Sequence, residues 1–175
     1  MDKNTKNINN PSGKEGYYGL HKQCMLVNLD YYKKFLDWGM ENQEHPACSE
    51  AYEWLVANKP SIQKITLCWG DSRIGNVLYK NYKATALLDW EMAGLGDPLM
   101  DLAWGFAVDE CNSLGLGAPR LDGSMAQSKG VEIWESKTGL SANNINYFRI
   151  LALFKFSVIM VRVGKRLIFN KIMPL

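Results

Sequence analysis

Two aspartates and an asparagine, set at the edges of three short β-prone runs, constrain this 175-residue chain more than any other feature. They lie in the segment LCWGDSRIGNVLYKNYKATALLDWEMAGLGDPLMDLAW, residues 67–104. Ile65 to Cys68 is the first run, followed by Gly70 and Asp71. Asn76 precedes the second, Val77 to Tyr79, and Asp89 ends the third, Ala84 to Leu88. The turn-prone Lys80–Asn81–Tyr82–Lys83 joins the last two runs into an expected hairpin. A hairpin that leaves after Asn76 and returns at Asp89 brings the chain back to its starting point. All three polar side chains can then face one cleft.

Singly, each would read as a turn-forming or capping residue, a frequent job for Asp and Asn. Together they form a donor set with a definite chemistry. Two carboxylates and an amide are hard oxygen ligands, which suit Mg²⁺, an ion that takes few protein ligands and keeps water and phosphates. One carboxylate remains free to orient a hydroxyl nucleophile. A base, a metal-holding Asp and a metal-holding Asn are what phosphoryl transfer requires.

With those residues in view, the segment resembles the aminoglycoside phosphotransferase and choline kinase-like family, which has a protein-kinase-like fold. The family pattern is H-G-D-x-x-x-x-N, then D-[WF]-E at a strand end, then G-D-P-x-x-D-L-A. This chain has Trp69–Gly70–Asp71–Ser72–Arg73–Ile74–Gly75–Asn76, then Asp89–Trp90–Glu91, then Gly96–Asp97–Pro98–Leu99–Met100–Asp101–Leu102–Ala103. The R-x-G-N and D-W-E-x-A-x-x-G-D-P details look most like the kinase-like region of some acyl-CoA dehydrogenase fusion proteins. The resemblance implies that Asp71 is the catalytic base, that Asn76 and Asp89 hold Mg²⁺ and that ATP is the phosphoryl donor. It places Arg73 where it could meet a nucleotide phosphate. Asp97 is read as a helix cap before Pro98, and Asp101 stands evenly between a structural bond and a site role.

The chain departs from the pattern twice. Trp69 stands where the family has His, and an indole can only donate a hydrogen bond. Residues 1–64 show nothing like the family's N-terminal β lobe, which carries the phosphate-covering loop and its Lys. The implied fold is therefore α+β and mostly helical: the C-terminal lobe of a protein-kinase-like fold, with a small β-hairpin at the catalytic cleft and the N-terminal β lobe absent.

The flanking sequence fits a helical lobe. Residues 1–19 are Asn- and Lys-rich with little to bury and read as a flexible leader, leaving 20–175 as the lobe. Helices are expected over Leu29–Met40, over Ser49–Asn58 with Ser49 as cap, from Pro98 through Phe106, over Met125–Lys137, and from Tyr147 to Phe169, with Ser141 opening a helical stretch of its own. Gly94 to Pro98 reads as an irregular loop. Trp38, Trp54, Trp104 and Trp134 read as packing residues.

Composition narrows the partners. With 20 basic and 18 acidic residues the net charge is +2, which argues for no nucleic-acid partner. The six basic residues after position 148 punctuate an apolar segment instead of clustering. The most apolar stretch within it, Ile150 to Val163, is broken by Lys155 and Arg162, so no membrane span is expected. Cysteines 24, 48, 68 and 111 lack C-x-x-C spacing and fit a reducing cytoplasm. His21 and His45 are isolated, which disfavours Ser–His and His-metal hydrolysis.

The leading expectation is an ATP- and Mg²⁺-dependent small-molecule kinase that phosphorylates a substrate hydroxyl, incomplete as this chain alone. A separate N-terminal lobe or partner chain would complete it. The alternative is a catalytically inactive lobe remnant acting as a binding module. A two-carboxylate Mg²⁺ phosphohydrolase of another fold is the third reading.

Overall fold

The protein's structure, a computed structural model, describes residues 24–41, 43–120 and 122–173, with backbone alone for 24–28. The leader expected over residues 1–19 lies outside the described residues. The elements in chain order are α1 (Cys24–Gly39), α2 (Pro46–Ala57), β1 (Thr66–Cys68), β2 (Val77–Lys80), β3 (Lys83–Leu87), β4 (Gly94–Gly96), α3 (Leu99–Asn112), α4 (Gln127–Thr138) and α5 (Ile145–Phe169). The mostly helical α+β class read from sequence is what the chain adopts. Among the described residues the strands form only two two-stranded antiparallel ladders, β1 with β4 and β2 with β3.

Two compact units divide the chain: Met1–Val56 with Phe154–Leu175, and Ala57–Leu153. In the first, α1 and the second half of α5 meet through aromatic rings and cations. Lys155 Nζ lies 5.1 Å from the centre of the Tyr32 ring, and the Arg162 guanidinium lies 5.3 Å from that of Phe35. Tyr52 of α2 packs against Phe154 with ring centres 6.1 Å apart. The expected cap of α2 is corrected here. The helix begins at Pro46, three residues before Ser49, and His45 Nδ1 accepts from Cys48 N at 3.3 Å. Pro is favoured at a first helical position, and the imidazole takes the capping role usually given to Ser.

The second unit holds every residue singled out between 67 and 104. The predicted hairpin forms, with Val77 opposite Leu87 and Lys80 opposite Lys83. Its two-residue loop places Asn81 and Tyr82 at φ of 49° and 61°, the left-handed pair that matches strand twist in a tight hairpin. Gly94–Gly96, expected as irregular loop, is instead β4, pairing Thr66 with Gly96 and Cys68 with Gly94. Helix α3 starts one residue later than expected. Asp97, 1% exposed, does cap it, accepting from Leu99 N at 3.0 Å through one oxygen and from Gln63 N at 3.1 Å through the other. Ser141 opens no helix of its own. It sits in the link to α5, where its backbone pairs twice with the Gln63 side chain. Gly139, at φ 69°, ends α4 as Thr138–Gly139 suggested.

Candidate functional site

The loop after β1 carries Asp71, and the structure holds its backbone from helix α3. Asp101, in the first turn of α3, accepts from Trp69 N at 2.7 Å through one oxygen and from Gly70 N at 2.8 Å through the other. The Asp101 carbonyl accepts from Ser72 Oγ at 2.6 Å. Both lone-pair directions of the carboxylate that face the loop are therefore used on backbone amides, and Asp101 is a structural brace. Two glycines let the loop close in. Gly70 has φ of 92°, and a Cβ there would fall 2.2 Å from the Met92 carbonyl oxygen. A Cβ on Gly105 of α3 would fall 2.9 Å from the Ser72 carbonyl.

The Asp71 carboxylate is in turn held by three donors. Trp104 Nε1 donates to Oδ1 at 2.7 Å. Asn76 Nδ2 donates to Oδ2 at 2.7 Å, and Arg73 Nε donates to the same oxygen at 3.0 Å. The side chains of Asp71 and Arg73 are 14% and 44% exposed, so the ion pair lies at the wet edge of a mostly enclosed carboxylate. An ionised carboxylate only accepts, so the amide face that Asn76 turns to Asp71 must be its nitrogen. Its carbonyl oxygen is then what Asn76 offers elsewhere. Asn76 is itself 6% exposed, anchored at the end of a 3-10 turn, Ile74–Asn76.

Asp89 reaches this place through the hairpin. Leu88 N donates to the Asn76 carbonyl at 2.8 Å, which closes the hairpin base beside the loop. Trp69 Nε1 donates to the Leu88 carbonyl at 2.7 Å, and Trp90 Nε1 to the Leu87 carbonyl at 2.9 Å. The two indoles lie 6.0 Å apart. The Trp69 replacement thus leaves the loop intact and ties it to the residue before Asp89. Asp89 itself adopts φ 62° and ψ 61°, a left-handed conformation that Asp tolerates better than most residues. It is exposed, and its carboxylate makes no hydrogen bond or ion pair among the described residues.

The structure therefore joins Asp71, Arg73 and Asn76 by direct contact and brings Asp89 beside them by backbone. Asp97 is the cap expected of it. Sequence reasoning missed the indole of Trp104, read as packing alone. It is 4% exposed and does pack, but it also donates to Asp71. The available signal was its position one helical turn after Asp101, together with the need of a buried indole N–H for an acceptor.

A divalent ion suits the donor set. Asn76 and Asp89 present an amide oxygen and a free carboxylate, hard ligands of the kind Mg²⁺ takes in small number. Among the described residues no three His, Cys, Asp or Glu side chains converge as a closed metal cage. A two-ligand arrangement leaves the other coordination positions to water and phosphate.

The model of the phosphotransferase enzyme family matches residues 25–126. A solved chain from Ralstonia eutropha JMP134, assigned as an aminoglycoside phosphotransferase, superposes with a TM-score of 0.71 at 22% identity, covering 87% of this chain and 49% of that one. The chain is 30% identical over 137 residues to acyl-CoA dehydrogenase family member 11 of Pongo abelii, and 39% identical over 66 residues to family member 10 of Mus musculus. These matches cover 71% and 37% of this chain, but 17% and 6% of those proteins. A probable aminoglycoside 3'-phosphotransferase of Lactococcus lactis is 36% identical over 78 residues, 45% of this chain and 27% of that one.

Proposed function

The chain belongs to the phosphotransferase enzyme family, and from that premise we propose that it transfers the γ-phosphoryl group of ATP to a hydroxyl of a small molecule. The observation that carries this reading is the Asp71 carboxylate, held at both oxygens by Trp104, Asn76 and Arg73, with the free carboxylate of Asp89 on the adjoining hairpin end.

In this reading the acceptor hydroxyl gives its proton to Asp71 as its oxygen bonds to the γ-phosphorus. The bond from that phosphorus to the β–γ bridging oxygen breaks, and ADP leaves. Asn76 and Asp89 would hold Mg²⁺, which neutralises developing charge on the phosphates. Arg73 is the one partner of Asp71 on a half-exposed side chain, so it can exchange the carboxylate for a phosphate oxygen. Among the described residues no other basic side chain bonds to Asp71, Asn76 or Asp89. We propose that a further lobe or partner chain completes the electrostatic clamp on the phosphates, and that this chain alone turns over slowly without it.

Cys48, Cys68 and Cys111 are reduced thiols, which suit a reducing cytoplasm. Among the described residues no helix is long and apolar enough to cross a membrane.

Calorimetry with Mg²⁺–ATP tests the reading. We expect millimolar binding that Asp89→Ala removes, and slow ADP formation that Asp71→Ala abolishes. No binding at millimolar nucleotide would favour the inactive binding module instead. Fast turnover dependent on Asp71 would overturn the claim that the chain is incomplete.

A further inference from the structure

We propose that Trp104 is a positioning residue for Asp71, fixing the plane of the carboxylate so that Oδ2 is the oxygen that receives the acceptor's proton. The catalytic part of this inference rests on the phosphotransfer reading above; the positioning part does not.

The torsion that turns a carboxylate about its last bond is broad and roughly two-fold, so one held oxygen does not fix the plane. Asn76 and Arg73 both donate to Oδ2 and leave that pivot open. Trp104 closes it by donating to Oδ1 at 2.7 Å from a side chain only 4% exposed. The ring is buried on α3, the helix whose Asp101 grips the Trp69 and Gly70 amides one turn earlier. Loop backbone and carboxylate are thus both set from one rigid element.

The choice of residue matters chemically. An indole N–H donates and does not accept. It can orient the base without taking the proton in its place, as an imidazole could. The three donors also differ in mobility. Asn76 and Trp104 are buried, whereas the Arg73 side chain is 44% exposed. Gly75 leaves room for that guanidinium, since a Cβ there would fall 3.0 Å from Arg73 Nη1. The hydroxyl therefore displaces Arg73 at Oδ2, and Oδ1 stays with the indole. When the proton arrives on Oδ2, its electron pair passes from the hydroxyl O–H bond to the new oxygen–phosphorus bond.

The test uses the full chain with Trp104 replaced at a single site by benzothienylalanine, which puts sulfur in place of N–H and keeps the ring shape. Trp104→Phe serves to assign the indole signal by its loss. In the unliganded wild-type chain, labelled with ¹⁵N, the Trp104 indole proton should be protected from exchange, and Asp71→Ala should speed that exchange on the order of tenfold. An unchanged rate overturns the positioning role without any assay of activity. In ADP formation at high enzyme concentration, the benzothienyl chain should lose about tenfold or more in kcat with KM for Mg²⁺–ATP unchanged. Unchanged kcat, or a loss that falls in KM, overturns the catalytic role. If the wild-type chain forms no ADP that depends on Asp71, the phosphotransfer reading fails and takes the catalytic role with it, while the exchange rates still decide the positioning.

Discussion

Removing the Asp101 carboxylate should destabilise the loop that carries Asp71. Asp101→Ala leaves the Trp69 and Gly70 amides without their acceptors, at sites now bonded at 2.7 and 2.8 Å. Hydrogen bonds to a charged group contribute roughly 1.5–3 kcal/mol each. Asp101 is half-buried, so water can reach part of the vacated space and the lower figure applies. Two bonds then give about 3 kcal/mol. Urea unfolding followed by tryptophan fluorescence reads this directly. With a slope of about 2 kcal/mol per molar, the midpoint should fall by about 1.5 M. Asp101→Asn keeps one acceptor and turns an NH₂ toward the second amide, so its midpoint should lie between those of wild type and Asp101→Ala. Amide exchange should localise the loss to residues 69 and 70. A midpoint within about 0.3 M of wild type for the Ala chain, or unchanged exchange at those two amides, refutes the bracing argument.

Gly70→Ala should be the most disruptive single-methyl addition in the loop, because it combines φ of 92° with a contact of 2.2 Å to a backbone oxygen; a loss of at least about 2 kcal/mol in the same unfolding assay is expected, and less than about 0.5 kcal/mol would show that the loop can shift. Burial pushes the Tyr147 hydroxyl up to about 12. The folded chain therefore holds that proton where the unfolded chain, near 10, has lost it, so stability is intact below pH 10 and declines between about pH 10 and 12. Tyr147→Phe should flatten that part of the profile, removing a decline on the order of 2–3 kcal/mol; an unaltered alkaline slope would assign the decline elsewhere.

What the sequence disclosed and what it withheld divide by distance along the chain. Asp71, Arg73 and Asn76 lie within six residues, and a local motif is enough to bring them together. The hairpin too is a local structure, its turn written in Asn81–Tyr82. The bracing of the site spans larger gaps: Gly70 to Asp101 is 31 residues, and Asp71 to Trp104 is 33. For such pairs the sequence shows one end at a time: Trp104 stands one helical turn after Asp101, but nothing local names Asp71 as its acceptor. Strand β4 was hidden for a second reason. Gly-Leu-Gly has little β-propensity, and only pairing with β1 makes it a strand. The start of α2 was misplaced because Ser49 is a good cap by type, while Pro46 and His45 cap it by position.

Helix α3 also carries an angular address. Asp101 and Trp104 reach the loop together because three residues of helix turn the chain through about 300°, nearly one full revolution. Substitutions elsewhere on α3 leave that phase untouched. A one-residue insertion or deletion between them would swing the indole by about 100° and carry its N–H away from Asp71, even if every side chain survived. In this stretch the count of residues is as much a part of the site as their identity.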